Sequence, residues 1–270
     1  MSKDINPILD AWPADDGVVR ARRIVTPKGE AFIQLRIDLG LLQMRLEGRP
    51  DGERLHGHDS MLAYLQARSG PGRIPVELSE DEKEEIVREM LQYYRRRVSL
   101  IALADQAKRN KDLKLAEEYY QRAIDDADHN LAMLDILVGS CTDAEFAADH
   151  EQYRPFILMH RTACVAERAL LATQPDIAIE TLKQGADTIL DLLGVNEMAA
   201  EQFEPDEQYA AMAENHPFVS ELKRMERSIR REYRRPKTLQ EQLTDGRDRE
   251  EYERAASLRD AIAKQPNLPL

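Results

Sequence analysis

The sequence of 270 residues contains 50 acidic and 38 basic side chains, which gives a net charge of −12 and a pI near 5.1. This acidic balance repels nucleic acid and anionic membranes, so it argues against general electrostatic binding to either. The two cysteines, Cys141 and Cys164, form no CxxC pair. Their number and spacing argue against a disulfide scaffold or a zinc cluster and favour a reducing cytoplasm.

Hydrophobic patterning points to a soluble protein. No run of apolar residues approaches the roughly 18–20 that a transmembrane helix needs. The first 16 residues lack the apolar core of a signal peptide. We therefore expect a cytoplasmic protein that makes no contact with a membrane.

Residues 1–16 predict an N-terminal arm that contains two prolines. Its large apolar residues include Ile8, Leu9 and Trp12. In one interpretation these side chains dock on the body of the protein. In the other they form a short linear anchor for a partner.

Residues 17–75 predict a small antiparallel β-sheet followed by loops. A first strand is expected at about 18–26, and two more segments alternate apolar with polar residues, as half-buried strands do. The alternating apolar residues are Ile33, Leu35, Ile37 and Leu39, then Leu42, Met44 and Leu46. The alternation changes from odd to even numbers at Gly40. Either a two-residue hairpin that begins with Gly40 and places Leu39 opposite Leu42, or a bulge at Gly40, explains this change.

The loop that follows contains the sequence His56-Gly57-His58-Asp59, which suggests a metal site and an enzyme built around it. No further ligand group lies at a usable spacing, so the pattern is a weak metal signal. The glycines of residues 48–52 do not match a phosphate-binding loop. We therefore expect no metal, no cofactor and no catalytic residues, and a short helix at about 59–68.

Residues 76–235 predict a bundle of long helices. Ser79 and Glu82 form a capping box at the start of the first one, and a break is expected at residues 110–112, before a second helix at about 112–139. The first helix presents one continuous face. The residues of that face are Ile86, Met90, Tyr93, Arg97, Ile101 and Ala104.

Capping residues and prolines predict the later helices of the bundle. Thr142 with Glu145 predicts the start of the third helix, and Pro155 is expected to kink or divide that helix near Tyr153. Pro175 predicts the start of a fourth helix that ends near Gly194.

The pair formed by the first and second helices of the bundle resembles a tetratricopeptide-type unit, because small and apolar residues fall where that repeat packs its helices. Those residues are Leu100, Leu103, Ala104, Ala107, Ala116, Tyr120 and Ala123. A weaker echo follows at Val165, Ala166, Ala169, Ala178 and Leu182. The two echoes lie 62 residues apart, from Ala116 to Ala178, whereas tandem repeats of this type recur about every 34 residues. We therefore predict long antiparallel helical hairpins and not a regular solenoid.

The helix predicted at 217–235 carries seven basic and three acidic residues, which makes it the basic patch of an acidic chain. The candidate nucleic-acid-binding residues are Arg227, Arg230, Arg231 and Arg234. No series of stacking aromatic residues accompanies them. Binding to the acidic helix start at residues 80–85, or to an acidic partner, explains the patch at least as well.

Residues 236–264 predict two short helices folded back on each other. Thr238 with Glu241 forms a capping box, Gly246 favours the end of the first helix, and Asp248 with Glu251 marks the start of the second. The apolar and small residues recur every three or four positions, so they share one face of each helix. The predicted contact residues are Leu239, Leu243, Tyr252, Ala255, Ala256, Leu258, Arg259 and Ile262.

The pattern L-x-x-x-L-x(8)-Y-E-x-A-A-x-L-R-D-x-I in residues 239–262 resembles the UVR motif. That motif is the helical hairpin of the excision-repair proteins UvrB and UvrC, and it also occurs in the chaperone ATPase ClpC and the regulator McsA. The resemblance covers about a tenth of the chain. It implies a module for protein interaction and self-association, and it implies no active site.

We therefore expect a mainly α protein with a small N-terminal antiparallel β-sheet (α+β), long antiparallel helical hairpins and a C-terminal UVR-like hairpin. The expected function is that of a non-enzymatic adaptor or regulator, which docks a protein partner or a second copy of itself through that hairpin. The alternative is a nucleic-acid-associated accessory protein of repair type that uses the basic helix.

Overall fold

The computed structural model describes residues 4–15, 17–70, 74–194, 216–237, 241–242, 256–257 and 259. The chain divides into two compact units, Met1–Arg224 and Met225–Leu270. The described part of the first unit contains a three-stranded antiparallel sheet and packed helical hairpins. The prediction of a mainly α protein with a small N-terminal antiparallel sheet and packed helical hairpins is therefore confirmed.

The described part of the chain contains three strands and eight helices. The strands are β1 (Ala21–Val25), β2 (Ala31–Ile37) and β3 (Gly40–Arg45). The helices are α1 (Asn6–Asp10), α2 (Met61–Ser69), α3 (Glu80–Arg109), α4 (Leu113–Ser140), α5 (Ala144–Glu151), α6 (Arg154–Leu171), α7 (Pro175–Leu192) and α8 (Pro217–Glu232). Helix α8 begins in the first unit and ends in the second. None of the described helices is long and apolar enough to cross a membrane.

The sheet is a meander in which β2 pairs with both neighbours. Both predicted explanations of the turn were wrong, because the turn residues are Asp38 and Leu39, Gly40 pairs with Ile37, and the pairing of β2 with β3 is regular with no bulge at Gly40. Leu39 is 88% exposed and does not face Leu42. The side chain of Arg36 stabilises this turn, since its Nη1 donates to the carbonyl oxygens of Asp38 at 3.0 Å and Gly40 at 2.8 Å.

The inward face of the sheet packs against α3 and contributes to the first of two core clusters. Its buried residues are Ile33, Leu35, Met44 and Leu46. The predicted packing residues of α3 and α4 join this cluster, and all seven of them are buried. The second cluster lies at the start of α3 and the end of α4, together with α2 and α5.

The start of α3 is capped as predicted, because the Ser79 hydroxyl accepts from the Glu82 backbone N–H and the Glu82 carboxylate accepts from the Ser79 backbone N–H. The predicted cap at Thr142 was wrong. Asp143 caps α5 instead, and its carboxylate accepts from the Phe146 N–H and pairs with Lys83 at 2.7 Å. The contact with Lys83 of α3 favours the start one residue later.

The two proline predictions are confirmed. Pro155 lies in the first turn of α6, and the chain divides there into α5 and α6. Pro175 is the first residue of α7, where a missing backbone N–H costs no helical hydrogen bond.

The N-terminal arm contacts the sheet through Trp12. The guanidinium of Arg22 lies 4.3 Å from the centre of the Trp12 ring, and Arg36 Nε donates to the Trp12 carbonyl oxygen at 2.8 Å. Ile8 is exposed and Leu9 is partly buried. Trp12 therefore docks on the body of the protein, as one of the two interpretations expects, whereas Ile8 remains exposed.

Candidate functional site

The predicted docking hairpin lies mostly outside the described residues. Leu239, Leu243, Tyr252, Ala255, Leu258 and Ile262 all belong to that remainder. Ala256 and Arg259 are described, and both are helical and exposed.

The four candidate arginines of the basic patch differ in their surroundings. Arg230 is an ion-paired residue, with its guanidinium 2.7 Å from Glu226 and 2.7 Å from Glu241. Arg227, Arg231 and Arg234 are exposed, and no ion pair to another described residue joins them. Three of the four cations are therefore available at the surface.

The His56-Gly57-His58-Asp59 segment is held by its own neighbours. His56 stacks on Tyr64 with ring centres 4.4 Å apart, and His58 lies 5.7 Å from the same ring. Asp59 pairs with Arg54 at 3.0 Å. Among the described residues, no group of three possible metal ligands comes together here or elsewhere.

An apolar pocket of about 500 Å³ opens between α3, the middle of α4, the end of α5, the start of α6 and the start of α8. Aromatic side chains line much of it, and Phe156 of α6 meets Phe218 of α8 at a ring-centre distance of 5.3 Å. Its mouth is formed by the exposed residues Val87, Leu91 and Tyr153. Its inner wall is formed by the buried residues Met90, Arg97, Asn130 and Ile157.

Two polar side chains of the inner wall have unsatisfied atoms. Arg97 is 1% exposed, and among the described residues its Nε and Nη1 have no hydrogen-bond partner. Asn130 donates through Nδ2 to the Met90 carbonyl oxygen at 3.1 Å, but its Oδ1 accepts from no group in the described part of the chain. Buried polar atoms are satisfied in the great majority of cases, so two such residues in one wall mark the pocket as a candidate binding site.

The charge around Arg97 is not balanced by its neighbours. Burial lowers the pKa of Arg97 to about 10, so the guanidinium remains charged at neutral pH. Asp126 is the nearby carboxylate, but both of its oxygens are held by Arg96, at 2.6 and 2.9 Å. Burial raises the pKa of Cys164 to about 12, which keeps the thiol neutral. Arg96, Arg97 and Asp126 together therefore carry a surplus of one positive charge.

A second buried polar network lies nearby and joins the loop after β3 to the bundle. The carboxylate of Glu89, which is fully buried, accepts from the backbone N–H groups of Met61 at 2.7 Å and Leu62 at 3.1 Å. It also contacts His129 Nε2 at 2.9 Å and lies 3.6 Å from Arg49. All of these contacts converge on the Glu89 carboxylate, so we interpret the network as structural.

His160 beside the pocket gives a pH-dependent prediction. Burial, together with the charge of Arg97, lowers the pKa of His160 from 6.5 to about 4. Between these pH values His160 binds a proton in the unfolded chain but not in the folded chain. The contribution of neutral, buried His160 to stability is therefore complete above pH 6.5 and is lost as the pH falls toward 4. The loss is up to about 3 kcal/mol.

We expect His160→Gln to remove this loss. Urea unfolding at pH 7 and pH 4.5 measures it, and the stability of the variant should fall less between the two pH values than that of the unmodified protein. His56→Gln, at an exposed histidine, serves as the control and should keep the full loss. Equal acid losses in His160→Gln and the unmodified protein would contradict the prediction.

The sequence contained one signal for the pocket. Arg97 interrupts the face of α3 that is otherwise mostly apolar, between Tyr93 and Ile101. A charged residue in such a stripe is either paired in the core or directed at a ligand. The aromatic residues of α6 and α8 could not be assigned to the same site from their positions in the chain.

Comparison of the chain with protein-family models, with curated proteins and with solved structures found no match.

Proposed function

We propose that the protein is a non-enzymatic adaptor or regulator that docks a protein partner, or a second copy of itself, through the hairpin at residues 236–264. The observation that supports this proposal most directly is the exposure of Ala256 and Arg259 in helical backbone. Both belong to the predicted contact stripe, and the residues of a docking surface are exposed before a partner binds.

The residue types of the stripe suit a docking surface. Tyr252 supplies an aromatic anchor, and aromatic residues and arginine dominate the energetics of protein interfaces. The small side chains of Ala255 and Ala256 allow another helix to approach closely. Two short helices are marginal in isolation, so contact with a second surface would stabilise them.

Tyr252→Ala should weaken association by about tenfold or more, because truncating a central aromatic anchor removes much of the binding energy. Light scattering over a range of protein concentrations measures self-association, and a pull-down with the full chain as bait measures partner capture. Arg254→Ala is the matched control, because residue 254 lies off the predicted stripe. Loss of helical circular dichroism in Tyr252→Ala would instead place Tyr252 in the core.

A second candidate function, nucleic-acid binding in a repair-type accessory role, is supported by the exposed Arg227, Arg231 and Arg234. The ion pairs of Arg230 with Glu226 and Glu241 weaken it, because they neutralise one of the four cations. Three phosphate contacts would give a slope of about −2 in a plot of log affinity against log salt for a single strand. Fluorescence anisotropy with a labelled oligonucleotide tests this, and the docking proposal expects no such binding.

A further inference from the structure

The pocket between α3, α5, α6 and α8 combines an apolar interior with a single uncompensated charge. The ring of Tyr94 lies 5.7 Å from the Arg97 guanidinium and makes a cation–π contact, which brings no counter-charge. No acidic side chain forms an ion pair with Arg97 in the described part of the chain. Removing a guanidinium from water without a counter-charge carries a large desolvation penalty. An anion in the pocket would offset that cost.

We propose that this pocket binds a monocarboxylate with an apolar or aromatic body. The carboxylate pairs with the guanidinium of Arg97 on the inner wall, and the body packs among Tyr94, Phe156 and Phe218. The proposal goes beyond docking through the C-terminal hairpin and does not rest on it.

The charge count favours a carboxylate over a phosphate. The site has a surplus of one positive charge, which a carboxylate balances, whereas a phosphate ester carries about −1.5 to −2 at neutral pH. The excess negative charge would then lie among apolar side chains, where it is strongly disfavoured. His160 cannot supply a second cation near neutral pH, because its pKa is about 4.

The size of the pocket favours a small group over an extended segment. Its volume of about 500 Å³ falls within the range of roughly 300–1,000 Å³ that is usual for small-molecule sites. The same carboxylate chemistry has two sources: a free organic acid, or the last residue of a peptide with an apolar side chain. Asn130 Oδ1, to which no described residue donates, suits a ligand that also carries an N–H donor.

The test uses the full chain and isothermal titration calorimetry. The probes are 3-phenylpropionate and its neutral amide, together with a tetrapeptide that ends in phenylalanine, either with a free carboxylate or with an amidated end. We expect at least one carboxylate probe to bind, and its amide to bind at least tenfold more weakly. Binding of the free acid identifies a small-molecule site, and binding of the peptide alone identifies a site for a chain terminus.

Two variants test the role of Arg97. Arg97→Met keeps the shape of the side chain and removes the charge, and it should abolish the preference for the carboxylate over the amide. It should also unfold at the same or a higher temperature, because an unpaired buried charge has been removed. Arg88→Gln changes the net charge equally at an exposed position of α3 and should leave binding unchanged.

The proposal is overturned if no carboxylate probe binds, if the amide binds as tightly as the acid, or if Arg97→Met keeps the preference. Should Arg97→Met fail to fold, the comparison of acid with amide on the unmodified protein decides the question alone.

Discussion

Replacing Asp126 with alanine is expected to destabilise the protein by about 3–5 kcal/mol. The carboxylate is 2% exposed and holds Arg96 through three hydrogen bonds of 2.6–3.2 Å. Its removal leaves Arg96 and Arg97 as adjacent buried cations with no carboxylate between them. Breaking a buried ion pair is costly because the remaining charge keeps its desolvation penalty.

Urea unfolding followed by circular dichroism measures this loss for Asp126→Ala. The matched control is Asp128→Ala, two residues along the same helix, where the carboxylate pairs with Arg161 at the surface. Exposed pairs contribute up to about 1 kcal/mol, so the control should change little. Similar losses in the two variants would show that Asp126 behaves as a surface charge and would contradict the structure.

Glu89→Ala should cost about 3–5 kcal/mol for a related reason. One carboxylate accepts from the first two backbone N–H groups of α2 and contacts His129 and Arg49. Without it, the N–H groups of Met61 and Leu62 lose their acceptor, and Arg49 loses one of its three carboxylate neighbours. The effect should therefore include local opening of α2 in addition to global destabilisation.

Hydrogen exchange at the amides of Met61 and Leu62 tests the local part of this prediction. Both amides should exchange faster in Glu89→Ala, beyond the change expected from lower global stability. Glu84→Ala, at an exposed position of α3, is the control and should stay within about 0.5 kcal/mol of the unmodified protein. Unchanged exchange at Met61 and Leu62 in Glu89→Ala would show that Glu89 does not cap α2.

Local chemistry made parts of the fold predictable. The capping box of Ser79 and Glu82 and the prolines at 155 and 175 act within one turn of helix, so their effects are readable without tertiary contacts. The alternation of apolar residues predicted the strands for the same reason. Their register was ambiguous. A turn at residues 38–39 and a turn at residues 40–41 both place odd-numbered residues of β2 opposite even-numbered residues of β3, so the apolar pattern fits either turn.

The buried charges and the pocket were not predictable, because they depend on partners that are far away in the sequence. Asp126 meets Arg96 across 30 positions, and His129 meets Glu89 across 40. Each of these residues, taken alone, is typical of an exposed helix face. Arg97 was recognisable in the sequence as a charged residue on an apolar stripe. Only the structure shows that the neighbouring carboxylate, Asp126, is bound by Arg96 and does not pair with Arg97.

The measurement that tests the docking proposal most directly compares the full chain with a version that ends at Arg235, by light scattering and thermal unfolding. The proposal predicts that truncation lowers the associated mass or abolishes partner capture, while the melting temperature of the bundle stays the same. A fall in melting temperature of more than about 5 °C, which corresponds to roughly 2 kcal/mol for a domain of this size, would contradict it. The hairpin would then be part of the folded core and not a docking module.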